Sequence, residues 1–89
     1  MDKTWYVYIL ECGDGTLYTG ITDDVQRRLE MHRAGKGAKY TRGRGPLELC
    51  YQESCGSYGD ALRREIQIKK LPRPKKMLLI QESLTKLNP

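Results

Sequence analysis

The sequence predicts an α+β domain, a small three-stranded antiparallel sheet flanked by helices in the order β-β-α-β-α-α. Three observations predict it. A β-branched and aromatic run breaks at Gly13-Asp14-Gly15 and then resumes, which signals a hairpin. A further alternating run stands alone after a glycine-rich stretch. Polar caps and a proline pair punctuate the helical segments around it. The 89 residues suffice for one domain, 1–89, and not for two.

The elements follow in order. Residues 4–12 (Thr-Trp-Tyr-Val-Tyr-Ile-Leu-Glu-Cys) read as a well-buried strand, and 16–21 as its return strand. Thr22, Asp23 and Asp24 are short polar residues of the kind that cap a helix. That helix is expected from about Asp24 to Arg33, with Val25 and Leu29 toward the core, and Ala34-Gly35-Lys36-Gly37 ends it. Residues 35–46, with four Gly and Pro46, read as a mobile loop. Residues 47–54 alternate as a third strand. Ser57 followed by Asp60 resembles a capping box, with Asp where Glu or Gln is usual. A second helix is expected from Tyr58 to Leu71, its core stripe being Tyr58, Leu62, Ile66 and the stem of Lys69. Leu71-Pro72-Arg73-Pro74 breaks it. A third helix of about ten residues follows, with Met77, Leu78, Leu79 and Leu84 as burial candidates. The last few residues are expected to fray.

Composition narrows the function classes. Sixteen Lys and Arg against eleven Asp and Glu give a net charge of +5, which favours a polyanionic partner. The charge is clustered. Arg33, Lys36, Lys39, Arg42 and Arg44 occur without an acid between them, and Arg63, Arg64, Lys69, Lys70, Arg73, Lys75 and Lys76 surround only Glu65. No stretch approaches the ~20 apolar residues of a membrane span, and the N-terminus lacks a signal-peptide layout. Three cysteines at unremarkable spacings suit a reduced, cytoplasmic setting and read as ordinary core or half-buried residues. There are six Tyr and no Phe, so tyrosines must supply aromatic bulk.

Several residues have the right types for chemistry. Tyr6 and Tyr8 share a face of the first strand, and Tyr18 on the return strand can meet Tyr8. On spacing alone they are equally aromatic packing. Arg28 and His32 stand i, i+4 on the first helix, where an Arg fork can grip phosphate and a His can move a proton. A solvated helix face would give the same pattern. Glu65 is a lone carboxylate among cations, suited to a Mg²⁺ ion completed by water and phosphate oxygens, or simply to an ion pair with Lys69.

The order of these residues is more specific than any one of them. Tyr6-Val7-Tyr8, Tyr18-Thr19-Gly20, the passage Gly20 to Leu29 containing Arg28, His32, and Ala61-Leu62-Arg63-Arg64-Glu65 together resemble the GIY-YIG nuclease domain over nearly the whole chain. The likeness is to small stand-alone bacterial members of unassigned role. It implies Tyr18 as the general base or water-orienting group, with Tyr8 supporting it. It implies Arg28 and His32 at the phosphate, and Glu65 holding one Mg²⁺ or Mn²⁺. Tyr8, Tyr18, Arg28 and Glu65 should then converge on one concave basic face. Lys36, Lys39, Arg42, Arg44, Lys69, Lys70 and Arg73 would track a nucleic-acid backbone, DNA ahead of RNA. The expected activity is metal-dependent phosphodiester cleavage, in DNA repair or processing. Two features differ from the family pattern: Tyr6 stands where the name-giving Gly is found, and Ile21 where several active nucleases place Lys. The alternative is a binding module, or one that needs a protein partner for targeting, with little catalysis of its own. A monomer or weak dimer is expected.

Overall fold

The computed structural model describes residues 3–87. Its elements are β1 (Trp5–Glu11), β2 (Leu17–Thr22), α1 (Val25–Arg33), a 3-10 turn (Lys39–Thr41), β3 (Glu48–Gly56), α2 (Tyr58–Lys69) and α3 (Arg73–Leu87). The order is the β-β-α-β-α-α expected. Expected fraying at 88–89 lies outside the described residues.

The sheet is antiparallel throughout, in the order β2-β1-β3, with β1 central. Because side chains alternate along a strand, β1 supplies both faces. Val7 and Ile9 face one side, where they pack with Tyr51, Ile68 and Ile80. Tyr8 and Leu10 face the other, where they pack with Leu29, Tyr18 and Leu49. Thus α1 covers one face of the sheet, and α2 and α3 cover the other. This double cover explains why four consecutive residues, 7 to 10, are all buried.

The local signals act as their chemistry dictates. Asp24 caps α1, its carboxylate accepting from the Arg27 N–H at 3.1 Å. Asp23 instead pairs with Lys3 at 3.0 Å. Ser57 caps α2 by accepting from the Asp60 N–H at 3.1 Å. The Asp60 carboxylate pairs with Arg63 and also reaches back to Ser57, and together these contacts hold its pKa below the usual value. Pro74 falls in the first turn of α3, where a missing N–H costs nothing. The helix therefore starts inside the proline pair and runs 15 residues rather than about ten.

Two burial assignments are corrected. The buried positions of α2 are Ala61 and Ile68, not Tyr58 and Ile66; Leu62, also expected there, is half-buried, as is Glu65. A strict four-residue spacing drifts about 40° around the helix at each step, whereas residues seven apart stay on one face. Tyr58 and Ile66 are half exposed. Tyr58 packs edge-on against Trp5 at the start of α2, ring centroids 4.8 Å apart. Lys69 is exposed. On α3 the buried anchor is Ile80, with Met77 and Leu79 packed beside it. Leu78 and Leu84 are exposed; Leu78 lies about 200° around the helix from Ile80.

The loop expected to be mobile is pinned. The Gly13 N–H donates to the Arg44 carbonyl at 2.6 Å. Arg33 donates to the Leu47 carbonyl at 3.1 Å. Thr41 is buried and bonded to His32 at 2.9 Å. The cysteines are free, Cys12 buried and Cys50 and Cys55 half-buried. Among the described residues no helix is long and apolar enough to cross a membrane.

Candidate functional site

His32 sits in the last turn of α1 with only 2% of its surface exposed. Both ring nitrogens are engaged. Nε2 lies 2.8 Å from the Tyr8 hydroxyl and Nδ1 2.9 Å from Thr41 Oγ1. Thr41 Oγ1 donates its own proton to the Ala38 carbonyl at 2.9 Å. It must therefore accept from Nδ1–H, which leaves Nε2 as the acceptor for the Tyr8 O–H. The chain of donors runs Tyr8 to His32 to Thr41 to the Ala38 carbonyl. In a neutral imidazole these bonds select the Nδ1–H tautomer. Burial, aided by the nearby Arg28 charge, holds the His32 pKa below its usual 6.5. Burial likewise pushes Tyr8 up to about 12, with Arg28 opposing the rise and Tyr18 adding to it. Tyr8 is thus a phenol and His32 an uncharged base at neutral pH.

Gly20 lets this arrangement form. It pairs with Tyr8 across the hairpin, and a Cβ there would sit 2.6 Å from the Tyr8 hydroxyl and 3.0 Å from the Tyr18 ring. Gly37 plays the matching part on the loop, where a Cβ would collide with the His32 ring. Tyr18 then stands beside Tyr8 (6.3 Å between centroids) and edge-on to His32 (5.3 Å). It is half-buried, unlike Tyr8. The Tyr40 ring stacks on Tyr18 at 5.9 Å, with the Arg44 guanidinium 4.6 Å over the Tyr40 centroid. Arg44 is in turn held by Asp14 at 2.5 Å, and Asp14 accepts from Thr16. The β1–β2 turn and the loop are thereby tied together around Tyr18.

Tyr8, Tyr18, Arg28 and His32 are brought together on the α1 side of the sheet. Glu65 comes from α2, on the other side. Its carboxylate, 17% exposed, pairs with Lys69 Nζ at 3.6 Å. The two sides meet at the outer edge of β2, where an open cleft of about 270 Å³ is lined by Tyr18, Tyr40, Lys69 and Lys76 together with Leu17 and Thr19. Glu65 itself does not line this cleft; its ion-pair partner Lys69 does. Ile21 packs into the Val7–Ile9 core, so the position where other nucleases carry Lys here serves packing. Among the described residues no three metal-ligating side chains cluster.

The expected backbone-tracking cations are dispersed. Lys36, Lys39 and Arg42 are exposed on the loop, Lys70 caps α2, and Arg73 opens α3. Arg44 is committed to Asp14 and Tyr40. Sequence reasoning did not single out Thr41, Tyr40 or Gly37. No short-range signal marks Thr41 or Gly37; Tyr40 was visible only as an aromatic among cations.

This fold and this tyrosine–histidine–arginine cluster define a catalytic-domain class. A model described as the GIY-YIG catalytic domain matches residues 4–77. The chain is 52% identical over 81 residues to a UPF0213 protein of Oceanobacillus iheyensis, covering 91% of this chain and 94% of that protein. It is 57% identical over 74 residues to one of Halobacterium salinarum, covering 83% and 96%. The solution NMR structure of a protein from E. faecalis matches with TM-score 0.62 and 36% identity, over 93% of this chain and 90% of that one. The solution NMR structure of a UPF0213 protein from Bacillus halodurans matches with TM-score 0.53 and 50% identity, over 96% and 85%. The chain belongs to the GIY-YIG nuclease family, among its UPF0213 proteins.

Proposed function

We propose that this protein is a divalent-metal-dependent phosphodiesterase that cleaves DNA ahead of RNA, in repair or processing, with Tyr18 at the reacting centre. One observation carries the reading: the buried Tyr8–His32–Thr41 chain holds a tyrosine cluster at the mouth of a cationic cleft. Tyr8 is too buried and too firmly protonated to meet substrate, so it acts as a brace. Tyr18 borders the cleft and can orient water or take its proton as the water oxygen attacks phosphorus and the P–O bond to the sugar breaks. Arg28 is suited to bind the non-bridging oxygens as charge develops. His32, neutral and linked to Tyr8, keeps the cluster in register.

The donor set at Glu65 fits a hard divalent ion. A single half-buried carboxylate, paired among the described residues only with Lys69 at 3.6 Å, leaves the remaining positions to water and phosphate oxygens, the usual shell of Mg²⁺ or Mn²⁺. Bound there, the metal would polarise the phosphate and neutralise the leaving oxygen. The exposed Lys36, Lys39, Arg42, Lys70 and Arg73 supply sequence-blind grip on the backbone. Three free thiols accord with a reduced, cytoplasmic setting, and a monomer or weak dimer would suffice for this site.

The test is cleavage of single-stranded, duplex, flapped and branched DNA and of RNA, with and without Mg²⁺ or Mn²⁺. Arg28→Ala and Glu65→Ala should each lower the rate by roughly 100-fold or more. Equal cleavage by these variants sinks the site. The placement of Ile21 in the core favours a second reading, a binding module that relies on a partner protein. Binding without cleavage under either metal would establish that reading.

A further inference from the structure

The cleft along the outer edge of β2 has two chemically different walls. Leu17, Tyr18 and Tyr40 form an apolar and aromatic one, and Lys69 and Lys76 a cationic one. Tyr40 is 44% exposed as a residue, with its ring stacked on Tyr18 and the Arg44 guanidinium over it. A side chain fixed in advance and still partly exposed loses little freedom on meeting a ligand. The ammoniums are available too. Lys76 has no ion pair among the described residues, and Lys69 makes only the long 3.6 Å contact with Glu65. Aromatic rings beside cations are the arrangement that holds single-stranded nucleic acid, because every base has a π-face and every nucleotide a phosphate. In a duplex those faces are hidden between neighbouring base pairs.

We propose that this cleft holds one unpaired nucleobase against Tyr40 and Leu17, with its flanking phosphate on Lys69 and Lys76. The preferred substrate is then a strand unpaired beside the bond presented to Tyr18. This rests on the nucleic-acid reading of the site, and it makes Tyr40 a specificity-determining residue.

Binding, measured without cleavage, tests it. The full chain is titrated in EDTA with a short single-stranded DNA carrying one 2-aminopurine, with the same strand as RNA, with its blunt duplex, and with a strand abasic at the probe position. The single strand should bind about 10-fold more tightly than the duplex, and the probe's fluorescence should change on binding. Tyr40→Ala should abolish that preference while Tyr40→Phe keeps it. Lys76→Ala should lower the salt dependence of binding by about one ion. An RNA strand that matches DNA assigns the site to single strands of either sugar and supports the proposal. Equal affinity for duplex and single strand overturns it, as does an abasic strand that binds like the intact one. Equal strand preference in Tyr40→Ala and wild type, both folded by circular dichroism, also overturns it. A strand preference that persists in a protein unable to cleave with Mg²⁺ or Mn²⁺ sustains the nucleotide site and removes only the catalytic reading.

Discussion

At the residue scale, the buried His32 makes stability sensitive to pH. Its folded pKa lies below the 6.5 of an unfolded chain. Below pH 6.5 the unfolded state binds more protons than the native one, so stability rises with pH in this window and is lost as pH falls. Denaturant titrations at successive pH values should show that loss, and His32→Gln should flatten it. The Tyr8 hydroxyl is the other half of the bond. Tyr8→Phe leaves Nε2 of a buried imidazole without a donor, which should cost about 1–3 kcal/mol in chemical denaturation. A cost near zero would mean that water reaches Nε2 and that the donor chain is not closed. These residues were only half legible beforehand. The i, i+4 spacing of Arg28 and His32 put them on one face, but a solvated face and a buried one have the same spacing. Burial of His32 depends on Thr41, nine residues on, and on the space that Gly37 leaves open.

At the element scale, α2 decides the sheet's second face. Its buried positions, Ala61 and Ile68, make a direct comparison available. Ile68→Ala should cost about 2–5 kcal/mol in unfolding free energy, because Ile68 is fully buried against Val7 and Ile9. Ile66→Ala, at a half-exposed position, should cost well under ~1 kcal/mol. Thermal or urea unfolding of the pair distinguishes this stripe from one through Tyr58 and Ile66, for which the order would reverse. On the same helix Glu65 is half-buried and pairs with Lys69. α2 is also stapled to β3, where Glu53 accepts from Arg64 at 3.0 Å and from the Tyr51 hydroxyl at 2.5 Å. Burial, together with this carboxylate, pushes Tyr51 up to about 12.

At the scale of the whole molecule, positive charge serves two different purposes. Lys36 is exposed and makes no ion pair among the described residues, whereas Arg44 braces Asp14, Tyr40 and through it Tyr18. Lys36→Ala should weaken nucleic-acid binding evenly across sequences and reduce the salt slope by about one. Arg44→Ala should instead lower the melting temperature and the cleavage rate with a smaller change in salt slope. Affinity measured against salt concentration, set beside calorimetry, separates the two. Element order, the hairpin and the helix caps were readable in the chain because each rests on residues within a few positions of one another, and the family motif because its residues recur in a fixed order along the chain. Local chemistry by itself determines the turns and caps. The sheet order β2-β1-β3 and the placing of α1 and α2 on opposite faces were decided by tertiary packing. So were the buried imidazole and the stack of Arg44, Tyr40 and Tyr18. The tyrosine hairpin was visible from its spacing, but its division of labour was not: whether Tyr8 braces and Tyr18 meets solvent depends on which ring α1 and the loop cover, and contacts between distant segments settle that.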